Sequence, residues 1–190
     1  MKKVLLIIFA LGFGFWGCSE NTTLTGPENV QSQQSFLKIN SGNSSTLMKT
    51  TTNGGTIFAA EGGKIKIDLE SGSTSVKGRI KFKKKNIFTE NGSKVESADI
   101  TIDLAVNDDV AALDFGPSGL KLDKPAILTV KFTGIDFAEG ATAEDFNFLY
   151  LSGNELAQVE YKKIIIDKKH RWIKVVNAEL THFSRYGFTK

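Results

Sequence analysis

Over residues 54–190 the chain alternates apolar and polar side chains at almost every step, and no stretch carries the spacing of an amphipathic helix. In 64–69 the apolar set is Ile65, Ile67 and Leu69, and in 76–83 it is Val76, Ile80 and Phe82 with Gly78 in phase. In 99–106 the set is Ile100, Ile102, Leu104 and Val106, and in 126–132 it is Ala126, Leu128, Val130 and Phe132. A period of two sends alternate side chains to opposite faces, so each run predicts a half-buried antiparallel strand. Runs at 146–151, 159–166, 172–176 and 180–188 repeat the pattern. Turn clusters such as Glu90-Asn91-Gly92-Ser93 and Ser152-Gly153-Asn154 separate them. Eight or more such strands predict an all-β fold, an antiparallel β-sandwich of Ig-like type. The segment 54–190 is long enough to bury its own core without disulfides, and one domain suffices.

The N-terminus has a different composition. Lys2 and Lys3 precede an apolar run over 4–16, followed by Gly17 and Cys18, the single cysteine. The run is too short to span a bilayer and reads as the apolar part of a secretory signal. Ending at Cys18, the pattern resembles a bacterial lipoprotein signal, with Phe15 and Trp16 where that family usually has an aliphatic and then a small residue. The resemblance implies that Cys18 is diacylated, that 1–17 is removed, and that Cys18 becomes the mature N-terminus. Two or three acyl chains, at about 0.8 kcal/mol per buried methylene, would hold the protein at a membrane permanently. Ser19, not Asp, follows the cysteine, so no retention signal of the enterobacterial inner-membrane kind is present and the outer membrane is the expected location. The alternatives are an exported soluble protein with an incidental cysteine, or an uncleaved anchor.

Residues 18–53 are dominated by Asn, Thr, Ser, Gln and Gly, a composition that predicts a flexible tether. A chain of that length reaches about 30 Å. Residues 36–39 stand apart as a segment able to dock as an extra strand, and the sequence leaves that open. Removing Lys2 and Lys3 from the 24 cations leaves 22 against 21 anions, which gives a nucleic-acid role no electrostatic support.

At 113–130 the chain reads LDFGPSGLKLDKPAILTV. Pro117 suits the second position of a tight turn relieved by Gly116 and Gly119, and Pro125 suits a strand start. This segment, the Gly62-Gly63-Lys64-Ile65 strand opening and the ending Thr181-His182-Phe183-Ser184-Arg185-Tyr186 resemble the ZU-five family of β-sandwich domains, some of which occur in bacterial lipoproteins. That family's Pro-Pro-Gly segment between the first strands is replaced here by Lys83 to Phe88.

In related sandwich domains a His-Phe-Ser sequence undergoes self-cleavage through an N-to-O acyl shift. Carried over, the resemblance makes Ser184 the nucleophile, Phe183 the source of the scissile carbonyl and His182 the proton carrier. The same residues also suit a structural part. On one continuous strand Leu180, His182, Ser184, Tyr186 and Phe188 would share a face, with Thr181, Phe183 and Arg185 on the other. His182 and Ser184 would then satisfy buried backbone groups, and Tyr186 would seal the sandwich as a tyrosine corner. The expectation is a non-catalytic protein, with cleavage between Phe183 and Ser184 as the alternative.

No cofactor is implied. With two histidines and Cys18 assigned to lipid, no zinc cluster can be assembled. Asn107-Asp108-Asp109 lacks the alternate carboxylates and distal Glu of an EF-hand, so a solvated turn is expected there. Asn21-Thr22-Thr23, Asn43-Ser44-Ser45 and Asn91-Gly92-Ser93 match the N-glycosylation pattern and read as polar loop sequence. Two basic groups stand out: Lys77, Arg79, Lys81 and Lys83, continuing into Lys84 and Lys85, and Lys162, Lys163, Lys168, Lys169, His170 and Arg171 around a hairpin at 167–170. Such lysines guard edge strands and keep a face soluble, or they form a patch for an acidic polysaccharide, lipopolysaccharide phosphate or an acidic protein. Phe88, Phe137, Tyr150 and Trp172 are candidate platforms for sugars, or core. The expected function is an envelope interaction or structural module, whose partner is a protein or polysaccharide.

Overall fold

The computed structural model describes residues 35–39, 53–105, 110–152 and 155–190. These form an all-β sandwich of two antiparallel sheets. The six-stranded sheet runs β1 (Asn53–Phe58), β6 (Ser97–Leu104), β7 (Ala112–Gly116), β13 (Arg185–Thr189), β9 (Asn147–Ser152) and β10 (Glu155–Gln158). The seven-stranded sheet runs β11 (Lys163–Asp167), β12 (Trp172–His182), β8 (Lys121–Thr133), β3 (Thr74–Phe82) and β2 (Gly63–Ser71). The short strands β4 (Phe88–Glu90) and β5 (Ser93–Val95) join it through the start of β8. A two-residue turn links them, with Asn91 at φ 50° and Gly92 at φ 81°, the geometry that an Asn-Gly hairpin favours.

The alternation folds as it reads. Ile67, Leu69, Val76, Ile80, Ile100, Ile102, Leu128, Val130 and Phe132 all point inward and are buried. Aromatic rings join the two sheets. Phe188 of β13 meets Phe132 of β8 edge-on at 5.7 Å and Phe148 of β9 at 5.1 Å. Burying a ring of this kind stabilises by about 1.5–3 kcal/mol.

The run 180–188 is not one strand. β12 ends at His182 in one sheet and β13 begins at Arg185 in the other, so Phe183 and Ser184 are the crossing between sheets. The expected two-face partition fails there, because a chain that changes sheets cannot keep strand parity. Of the run 159–166 only the part from Lys163 onward is strand, β11; residues 159–162 connect it to β10 in the other sheet.

Two prolines sit differently from expectation. Pro117 follows a cis bond from Gly116 and takes the first position of the turn Pro117-Ser118-Gly119-Leu120, which Leu120 N–H closes on the Pro117 carbonyl at 3.3 Å. Gly119, at φ 83°, supplies the left-handed residue that this turn requires. Pro125 lies inside β8, not at its start. There β8 changes partner from β4 to β3 and its register to β12 shifts, so the missing N–H interrupts no ladder.

Residues 35–39 dock, which answers the question the sequence left open and corrects the tether assignment for that segment. Phe36 bridges Thr189 and Lys38 bridges Val110. Leu37 N–H donates to the Phe188 carbonyl at 2.6 Å and its own carbonyl accepts from Ala111 N–H at 2.7 Å. Phe36 covers Ala105, Val110 and Ala112, and Ile39 is buried in the main core.

Candidate functional site

The crossing at Phe183-Ser184 is tightly fixed. Phe183 N–H donates to the Leu120 carbonyl at 2.8 Å, and the Phe183 carbonyl accepts from Gly119 N–H at 3.2 Å. The Phe183 ring is 1% exposed and lies against Phe115 and Phe82, at 5.7 and 6.1 Å. Ser184 Oγ donates to the Leu151 carbonyl at 2.6 Å. Among the described residues no hydrogen bond joins His182 to Ser184; His182 Nδ1 is 3.4 Å from Thr181 Oγ1. Tyr186 donates its hydroxyl to the His182 carbonyl, four residues upstream, at 2.7 Å, the backward bond of a tyrosine corner. Burial, reinforced by Tyr150, drives the Tyr186 phenol far above its ordinary range.

His182 is half-buried, 4.4 Å from the Tyr150 ring and paired in register with Lys121. Burial first, and Lys121 second, hold its imidazole below the ordinary value of about 6.5. The folded protein therefore binds this proton less readily than the unfolded chain. Its contribution is complete above the ordinary value and is lost as pH falls from there toward the lowered one. Melting temperature should fall as pH drops below about 6.5, and His182→Gln should flatten that fall. An identical profile in the variant would disprove the assignment.

The basic residues divide into two places. Lys77, Arg79 and Lys81 alternate outward along β3, on the outer face of the seven-stranded sheet. Lys83, Lys84 and Lys85 leave that face in the loop before β4. There Lys124 Nζ donates to the Lys84 and Lys85 carbonyls, and the buried Asn86 side chain bonds both the N–H and the carbonyl of Lys124. Register adds two lysines that sequence reading missed: Lys131 of β8 lies opposite Lys77, and Lys174 of β12 lies opposite Lys131. Both stood at outward positions in recognised strands, but the pairing of strands distant in sequence has no local signal. The second basic group surrounds the β11–β12 hairpin, where Asp167 caps His170 and Arg171 pairs with Asp136 at 2.6 Å.

The aromatic candidates separate by burial. Phe88 is core, which removes it as a platform. Phe137 packs on Phe146 at 5.7 Å, and Tyr150 on His182 and Tyr186. Trp172 is half-buried on the outer face, where Lys131 Nζ stands 5.6 Å from its ring centre. Among the described residues the exposed large apolar side chains are Phe58 and Ile87, which line a separate groove with Lys85, Asn86 and Lys94. Among the described residues no group of three His, Cys, Asp or Glu side chains converges to hold a metal. Cys18, the signal segment, Asn107-Asp108-Asp109, Asn21-Thr22-Thr23 and Asn43-Ser44-Ser45 lie outside the described residues.

Fold and surface together define an antiparallel β-sandwich with one open cationic face. No protein-family model, no curated protein and no solved structure matches the chain.

Proposed function

We propose that this protein is a non-catalytic interaction module of the bacterial cell envelope, anchored at the outer membrane by acyl chains on Cys18 and akin to ZU-five sandwiches. The observation that carries the reading is the outer face of the seven-stranded sheet, where Lys77, Lys131 and Lys174 stand opposite one another on adjacent strands. Like charges placed directly opposite are destabilising. A surface that holds such an arrangement against its own stability is a surface kept for a partner. The hydroxyl of Ser184, bonded to a backbone carbonyl, supports a structural part for the His-Phe-Ser sequence.

A second reading, self-cleavage between Phe183 and Ser184, has one observation in its favour. Gly119 N–H already points at the Phe183 carbonyl oxygen, where an oxyanion would develop.

The test is the denatured intact mass of the full-length chain recovered from bacterial membranes, beside Cys18→Ser. The expected mass begins at Cys18, carries acyl increments absent from the variant, and runs to Lys190. An unmodified Cys18 would sink the anchor. A mass ending at Phe183, with a separate peptide beginning at Ser184, would put self-cleavage first.

A further inference from the structure

β3, β8 and β12 are interior strands, with β2 and β11 at the sheet's edges. Their outward cations are therefore not the edge guards that discourage strand addition. Register sets the outward side chains in rows across the strands. One row reads Asp68, Lys77, Lys131, Lys174 and Ile165, and the next places Lys66 opposite Arg79 and Arg79 opposite Thr129. Adjacent strands are about 4.8 Å apart, so Lys77, Lys131 and Lys174 form a line of cations at that pitch. Asp68 compensates at one end only, 2.9 Å from Lys66 and 3.7 Å from Lys77. Among the described residues no carboxylate lies at ion-pair distance from Arg79, Lys131 or Lys174.

Between these side chains lies an open depression of about 370 Å³, lined by Lys77, Gly78, Arg79, Thr129, Lys131 and Lys174. The backbone of Gly78 forms part of its floor. Trp172, two residues from Lys174 on the same face of β12, brings an amphipathic ring to its margin.

We infer that this face binds an anionic polysaccharide, its acidic groups seated over Gly78 by Lys77, Arg79, Lys131 and Lys174, with a sugar ring against Trp172. The inference rests on the interaction-module reading and names its ligand. A linear polyanion lying across the strands meets a cation at each strand step. A protein partner fits less well, because the centre of a protein interface is depleted of charge and this centre is charged. A lipid surface fits less well too, since among the described residues the exposed large apolar side chains, Phe58 and Ile87, line a different groove.

The test titrates the full-length chain, in a neutral detergent, with dextran sulfate, neutral dextran, polyglutamate and glycerol phosphate as a soluble lipid headgroup. Dextran sulfate should bind and neutral dextran should not, and added salt should weaken the binding. Lys131→Gln/Lys174→Gln should weaken it by about tenfold or more, while Lys83→Gln/Lys84→Gln/Lys85→Gln in the loop changes it by less than about twofold. The melting temperature of the double variant should not fall, because two like-charge pairs are relieved.

Equal loss in the loop variant would overturn the site. Tighter binding of polyglutamate or of glycerol phosphate would overturn the polysaccharide assignment. Absence of all binding, in a chain whose mass shows acylated Cys18 and an intact Phe183-Ser184 bond, would overturn this site and leave the module reading standing. Binding of dextran sulfate by a chain with an unmodified Cys18 would uphold the site and remove the anchor.

Discussion

Replacing Phe183 by alanine is expected to lower stability by about 3–5 kcal/mol, the range for a fully buried aromatic ring removed from a close-packed core. The ring is 1% exposed and is held between Phe115 of β7 and Phe82 of β3, one in each sheet. Removing it leaves a cavity where the chain passes from one sheet to the other. The backbone there cannot collapse freely, because Phe183 N–H and carbonyl are both tied to the turn at Gly119 and Leu120. A domain of this size has about 5–15 kcal/mol in total, so the loss is a large share of it. In urea, with a slope of about 2 kcal/mol per molar, the unfolding midpoint should drop by about 2 M. Ser184→Ala, which removes one hydrogen bond to Leu151, should cost only about 1 kcal/mol. A drop for Phe183→Ala no larger than for Ser184→Ala would show that the crossing tolerates the cavity and that Phe183 does not fasten the sheets together.

The contrast between these two neighbours also marks where sequence reading stops. Alternation located β2, β3, β6 and β8, because a strand with one buried face must place its apolar residues two apart, and Ile67, Ile80, Ile102 and Val130 do so whatever lies beside them. The run 180–188 alternates just as well, yet it belongs to two sheets. Parity describes one side chain relative to the next and is silent about which sheet each half joins. The docking of 35–39 was open for a related reason: Phe36 and Leu37 are apolar in a polar stretch, but their partners, Thr189 and Ala111, are far away in sequence. The cationic face was half legible. Lys77, Arg79 and Lys81 stand on one strand and read as a group. Lys131 and Lys174 join them only through the register of β8 against β3 and β12, while Lys83 to Lys85, adjacent in sequence, turn away into a loop.

Gly78 gives the second large effect, with a sign opposite to the usual one. Glycine inside a strand is generally less stable than alanine there by about 0.5–1 kcal/mol, so Gly78→Ala would ordinarily stabilise. An added Cβ, however, would stand 2.4 Å from the Thr129 carbonyl oxygen and 2.8 Å from Val130 Cα. Favourable contacts between carbon atoms lie at about 3.5–4.0 Å, and both obstacles are backbone, which cannot swing aside as a side-chain end can. Relief requires β3 to move off β8, and β3 is bound by β8 on one side and β2 on the other. The clash therefore outweighs the entropy gain, and Gly78→Ala should lose about 1–3 kcal/mol. Gly55 in β1 supplies the control, since its nearest neighbour beyond the chain would be a side-chain carbon of Ile65 at 4.0 Å. Gly55→Ala should be neutral or stabilise by up to about 1 kcal/mol in the same urea titration. Because Lys77 and Arg79 flank Gly78, displacement of β3 should also weaken dextran sulfate binding. Stability and binding should then fall together in Gly78→Ala, whereas Lys131→Gln/Lys174→Gln loses binding alone. Equal stability of Gly78→Ala and Gly55→Ala would mean that β3 and β8 do not approach as closely as the ladder places them.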